Sequence, residues 1–351
     1  MKKFAWRKPL IMGGLLALSL TILAGCGGGS GGGQKEEEKG GDTKAASEGG
    51  GDAGQIAIEG SSTVIPITQA AAEGFNRQNP DVEITIGGAG TGDGFEAFCG
   101  GTTQISNASR PIKDDEVQAC QENGIEFVEI PVALDGLTVV VNPQNDFANN
   151  ITLDQLRTLW ETNAEGQITT WNQVNPEWPE QQINLYGPGT ESGTFDFFTE
   201  RVNGEEGESR SDYQASEDDN VLVQGVSGDP NALGYFGFGY FEQNQQQLKA
   251  LTVDSIAPST ETIQSGGYPL SRPLFIYVST QALEENSSVQ EFVNFHLENL
   301  NQFVEQAQYV PLSDAGAQEA RERFQNRTTG TAPEDALGAE EKGKGKEEEK
   351  K

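Results

Sequence analysis

The stretch Gly187-Pro188-Gly189-Thr190-Glu191-Ser192-Gly193-Thr194-Phe195-Asp196-Phe197-Phe198 follows the strand-like Ile183-Asn184-Leu185-Tyr186 and leads into apolar positions Phe195, Phe198 and Val202, spaced i, i+3, i+7. That order reads as strand, Gly/Pro loop and helix, with Ser192 at the helix N-cap. The first turn of a helix leaves backbone N–H groups unpaired and carries positive partial charge, so Gly193 and Thr194 can aim donors at an anion. Taken alone, Ser-Gly-Thr before a helix is an ordinary cap.

The same device recurs along the chain. Ile56-Ala57-Ile58, the loop Gly60-Ser61-Ser62-Thr63 and the helical spacing Val64, Ile67, Ala71, Phe75 form one copy. Val82-Ile84-Ile86, the loop Gly87 to Gly94 with Thr91, Gly92 and Asp93, and a helix through Phe95 and Phe98 form another. Ile105-Ser106-Asn107-Ala108-Ser109-Arg110 ends a further strand in hydroxyls and an arginine, before a helix from Asp114 to Asn123-Gly124. Ile125 to Ile130 and Val132 to Val141 read as two strands, the second interrupted by Asp135-Gly136. Thr152-Leu153-Asp154-Gln155 and Ser288-Val289-Gln290-Glu291 read as caps of later helices, and Phe275 to Val278 as a strand. Strands alternating with helices imply a mainly parallel α/β fold whose ligand binds at the carboxyl ends of the strands.

Charge and chain ends narrow the class. The 351 residues carry a net charge of −31. Residues 55–328 hold 41 acidic side chains against nine Arg and two Lys, so 11 − 41 = −30 lies on the folded part and nucleic-acid binding is not expected. Basic Met1 to Lys8, apolar Leu10 to Ala24 and Leu23-Ala24-Gly25-Cys26 read as a lipoprotein signal, residues 1–25, with Cys26 the site of lipidation and a membrane anchor. Residues 26–54 form a flexible Gly-rich tether and 329–351 a disordered charged tail by composition. Cys99 and Cys120, in an exported domain, are expected to form a disulfide.

Hydrolase chemistry lacks its parts. Gly189-Thr190-Glu191-Ser192-Gly193 is not a nucleophile elbow, and the only histidine, His296, lies on the apolar face of its helix, where a hydrogen-bonded core histidine is expected. Triads and zinc sites are thereby largely excluded, and no cofactor or metal is expected. What remains is a cage of neutral donors, namely Ser61, Ser62, Thr63, Thr91, Gly92, Ser109, Ser192, Gly193 and Thr194, with Arg110 as its one cation, suited to a small tetrahedral oxyanion.

With these motifs, the sequence resembles the phosphate-binding lipoproteins of phosphate-specific ABC importers, in the class II periplasmic-binding-protein fold. The resemblance spans Gln55 to Asn326 and rests on Gly60-Ser-Ser-Thr, Gly90-Thr-Gly, Asn107-Ala-Ser-Arg-Pro and Thr190-Glu-Ser-Gly-Thr. It implies two α/β lobes, about 55–137 with 273–328 and about 138–272, joined by hinge strands near Leu137 and Arg272 with the ligand cleft between them. It implies phosphate contacts from Ser61, Ser62, Thr63, Val64, Thr91, Ser192, Gly193 and Thr194, and an ABC permease as partner of a monomeric receptor. In the best-known enterobacterial pattern a carboxylate follows the Ala-Ser of the third loop and an arginine stands four residues before the serine of Ser-Gly-Thr. Here Arg110 and Pro188 occupy those places, so the carboxylate that would accept the phosphate proton is left to Asp135 or Asp93, then Glu191. A sulfate receptor, a surface phosphohydrolase or an adhesion module are the competing readings.

Overall fold

The computed structural model describes residues 54–332. The expected signal peptide, Cys26, almost all of the tether and residues 333–351 lie outside them. The first three strands are β1 Gln55–Gly60, β2 Glu83–Ile86 and β3 Ile105–Ala108, followed by the long β4 Phe127–Val141 and the short β5 Asn150–Ile151. The remaining strands are β6 Asn184–Pro188, β7 Gln214–Ser216, β8 Ala232–Gly237, β9 Lys249–Ala250, β10 Thr252–Val253 and β11 Ser271–Ser279. Nine of them form one sheet in the order β2-β1-β3-β11-β4-β8-β6-β7, with β9 beside β4, while β5 and β10 pair separately.

The sheet is mixed rather than mainly parallel. β1 pairs in parallel with β2 and β3, and β6 with β7 and β8. Between these groups β11 runs antiparallel to β3 and β4, and β4 antiparallel to β8 and β9. Helix crossovers force parallel neighbours within each group, whereas β4 and β11 run between the groups in opposite senses. β4 faces β11 up to Gly136 and switches to β8 from Leu137, so one strand joins the two parallel groups.

β4 also replaces the two strands read from the sequence. Pro131 has no N–H for the ladder, yet the register only slips by one residue there, with Phe275 opposite Pro131 and Leu274 opposite Ala133. Asp135-Gly136 does not interrupt it either, because Asp135 pairs with Arg272, and a Cβ on Gly136 would come within 2.5 Å of Ile263 Cδ1.

The helices that matter for the site are α1 Ile65–Asn76, α2 Thr91–Cys99, α3 Asp114–Glu122, α4 Leu153–Trp160, α5 Trp171–Val174 and α6 Gly193–Phe198. Thr152 caps α4 with the reciprocal Gln155 bond. The late helix begins differently from the sequence reading: Asn286, not Ser288, accepts the capping bond, and the helix Ser287–Glu298 stops at Asn299 before a second one, Leu300–Gln306. His296 is fully buried against Phe292 and Phe303, but neither ring nitrogen has a hydrogen-bond partner among the described residues. Cys99 and Cys120 form the disulfide, joining the ends of α2 and α3.

The folded part runs past residue 328. Gly330 donates to Phe127 O at 2.9 Å and Ala332 to Glu129 Oε1 at 2.8 Å, which straps residues 328–332 along β4. Composition alone assigns 329 onward to a loose tail, since nothing in Thr-Gly-Thr-Ala signals a buried acceptor waiting for it.

Candidate functional site

Four loops leave the carboxyl ends of β1, β2, β3 and β6. The first is held by backbone geometry. Gly60 has φ 136°, and a Cβ there would lie 2.1 Å from Asn107 O, so only glycine lets β1 approach β3 this closely. Ser61 N donates to Asn107 O at 2.9 Å, and Val64 N to Ser61 O at 3.1 Å, which curls Ser61-Ser62-Thr63 over the start of α1. Ser61 and Thr63 are buried, Ser62 is half-buried and Val64 is fully enclosed.

Thr91 opens α2 behind Gly90, whose φ of 109° turns the loop. Its Oγ1 lies 3.0 Å from Ser109 Oγ and accepts from Ser109 N at 3.2 Å, joining the second loop to the third. Gly92 stands beside Arg110, at 4.0 Å from Nη2 for a built Cβ, and Asp93 is exposed in the first turn of α2. In the fourth loop Ser192 caps α6 by accepting from Thr194 N at 3.2 Å. Gly193 packs so tightly on Thr63 that a Cβ would sit 2.1 Å from Thr63 Oγ1, which brings the first and fourth loops together.

Arg110, the cation expected from sequence, stands beside the second and third loops. Its fork is committed to Glu116, with Nη2 2.7 Å from Oε1 and Nη1 2.8 Å from Oε2, and its guanidinium lies 5.5 Å from the Phe95 ring centre. The Glu116 hydrogen bond raises the Arg110 pKa. The cation that touches several parts of the cage is Arg272. Its Nη2 donates to Thr63 Oγ1 at 3.0 Å and to Gly193 O at 2.9 Å, and its Nε to Asp135 Oδ2 at 3.2 Å. The guanidinium also sits 4.2 Å from the Phe197 ring centre. Sequence reading used Arg272 only to mark a crossing between lobes; no motif surrounds it, and its place opposite Asp135 appears only in the structure.

Asp135 is 1% exposed. Desolvation pushes its pKa up, and the charge and hydrogen bond of Arg272 pull it back. Two further carboxyls were not anticipated. Asp196, half-buried in α6, is pushed up to about 6, first by desolvation and then by Glu206, against the pull of Arg272. Asp219 is pushed up to about 7 by desolvation, then by Asp218, Glu217 and Asp135. Glu191 is exposed; its backbone N–H donates to Glu217 Oε1 at 3.3 Å. Tyr309 Oη donates to Thr63 O at 2.9 Å. Among the described residues no group of three or more His, Cys, Asp or Glu side chains could hold a metal ion.

Residues 45–299 match the family model described as a PBP superfamily domain. Protein SphX from Synechocystis sp. is 46% identical over 281 residues, 79% of this chain and 84% of that protein. The phosphate-binding protein PstS from Staphylococcus saprophyticus is 41% identical over 264 residues, 74% of this chain and 81% of the relative. Among solved structures, a possible phosphate binding protein from Planctomyces limnophilus superimposes with a TM-score of 0.74 at 43% identity, covering 78% of this chain and 98% of that one. An ABC-type phosphate transport receptor from Vibrio cholerae gives a TM-score of 0.60 at 25% identity, covering 73% and 99%.

Proposed function

This chain belongs to the PBP superfamily, among the phosphate-binding proteins akin to PstS and SphX, and from that premise we propose how its own residues take up the ligand. It binds inorganic phosphate outside the cytoplasm for import. The cage is built from the hydroxyls and N–H groups of Ser61, Ser62, Thr63, Val64, Thr91, Gly92, Ser109, Ser192, Gly193 and Thr194, with Arg272 as its central cation and Arg110 at its flank. The observation that carries this reading is Arg272, bonded at once to Thr63, Gly193 and Asp135. A guanidinium fixed in this way presents charge to a tetrahedral oxyanion at hydrogen-bond range, where the domain's distant acidic surface is screened within about 8–10 Å.

Asp135 is the acceptor for the proton that phosphate still carries near neutral pH, with Asp93 as the alternative. Sulfate has no such proton and would meet only the lone pairs of the buried carboxylate, which therefore rejects it. The lobes, about 55–137 with 273–328 and about 138–272, close on the ligand about the crossings near Leu137 and Arg272. The receptor works as a monomer held at the membrane through Cys26, passes phosphate to an ABC permease and performs no catalysis.

Calorimetric titration of the Cys26→Ser protein with phosphate, sulfate and arsenate tests the reading. Binding of phosphate and arsenate with sulfate at least about 100-fold weaker is expected. A preference for sulfate, or turnover of a phosphomonoester, would sink it.

A further inference from the structure

Two arginines stand near the candidate cage, and each lies over a phenylalanine that is one helical turn below the first residue of a helix. Thr91 opens α2 and Phe95 follows four residues later, beneath Arg110. Gly193 opens α6 and Phe197 follows four residues later, beneath Arg272. Residues i and i+4 of a helix share a face, so each ring lies on the same face as the first residue of its helix. The two pairs then differ. Arg110 is held in plane by both oxygens of Glu116 and stands 5.5 Å from its ring centre. Arg272 has one 3.2 Å bond to a carboxylate, two bonds to neutral oxygens, and a ring centre at only 4.2 Å.

We propose that Phe197 is a positioning residue for phosphate binding, acting through the face of the Arg272 guanidinium. The inference rests on Arg272 being the cation of the phosphate cage. The hydrogen bonds to Asp135, Thr63 and Gly193 come from two atoms, Nε and Nη2, so rotation of the guanidinium about the line joining them is its least restrained motion. The Phe197 ring, itself 5% exposed, removes that freedom by attracting the cationic face with the negative face of its π system. Burial strengthens the attraction, because water does not compete for the guanidinium face at that side. Since Phe197 rides on the same short helix as Gly193 and Thr194, the ring also keeps Arg272 in step with those backbone donors. An ordinary core phenylalanine would do none of this, and any apolar side chain of its size could replace it.

The test separates the ring's electrostatics from its shape. Phenylalanine with one, two and three ring fluorines is incorporated at position 197 of the full-length protein, and phosphate affinity is measured by calorimetry. Fluorine withdraws charge from the ring face with little change in volume, so the dissociation constant should rise stepwise, by about 5-fold or more across the series. Phe197→Leu should fall at or beyond the trifluorinated variant, and Phe197→Met serves in its place if the leucine variant does not fold. A flat fluorination series, with the unsubstituted protein binding phosphate normally, would overturn the inference while leaving the phosphate reading intact. Failure of the unsubstituted protein to bind phosphate would overturn both.

Discussion

Arg272 and Thr63 stand 209 positions apart in sequence, and their side chains meet at 3.0 Å through Nη2 and Oγ1. That contact ties a β11 side chain to the loop at the end of β1, and the same nitrogen reaches Gly193 at the start of α6. Replacing Arg272 by alanine should therefore weaken phosphate binding by at least about 2 kcal/mol, since it leaves Asp135 buried without its partner and the anion without its cation. Arg110→Ala should cost less, because Glu116 already competes for that fork. Calorimetry on both variants decides the ranking, and a larger loss in Arg110→Ala would reverse the assignment.

Asp135→Asn should lose the preference for phosphate over sulfate, because an amide can donate to sulfate where a carboxylate only repels it. Asp93→Asn and Glu191→Gln should retain it, both side chains being exposed. Titration of each variant with the two anions provides the comparison. Full discrimination in Asp135→Asn would move the acceptor elsewhere.

Gly193→Ala places a methyl group 2.1 Å from Thr63 Oγ1, so the first and fourth loops must part. Phosphate affinity should drop by about 10-fold or more, which corresponds to about 1.4 kcal/mol, while the melting temperature changes little. Thr63→Ser keeps the hydroxyl and should lose far less. Small-angle scattering with and without phosphate should show a smaller compaction in Gly193→Ala than in the unsubstituted protein.

His296 makes stability depend on pH. Burial without partners lowers its pKa from 6.5 to about 4, so the folded protein keeps the ring neutral. The unfolded chain binds a proton below 6.5 that the folded one refuses until about 4. Stability contributed by the neutral ring is therefore complete above pH 6.5 and falls as pH drops toward 4, by about 3 kcal/mol in all. Denaturant unfolding of His296→Leu between pH 7 and 5 should show a flatter slope than the unsubstituted protein. Parallel slopes would mean the histidine is hydrated.

Local chemistry made much of this fold legible. Ser192 as the cap of α6 and Thr152 as the cap of α4 follow from short-range rules that act within a few residues. Long-range pairing was not legible. The antiparallel β11 depends on which strand lies beside it, and the partners of Arg272 come from three other parts of the chain. Arg110 attracted notice because it stands inside a motif. Arg272 did not, since in sequence its neighbours are only Ser271 and Pro273. Asp135 was visible from one side only, as a carboxylate in an apolar run whose reason lay on another strand.

The strap at the end of the described chain bears on how this protein can be cut or extended. Ala332 gives its N–H to Glu129, which also accepts the Tyr277 hydroxyl at 2.5 Å, and that hydroxyl oxygen in turn receives Ile112 N–H at 2.9 Å. Ile112 is two residues from Arg110. A protease nick between Arg327 and Ala332 would thus release more than a frayed terminus: it would strip one of two donors from a buried carboxylate and loosen the support of the third loop. Affinity tags and fluorescent fusions are better joined after Ala332 than in place of it.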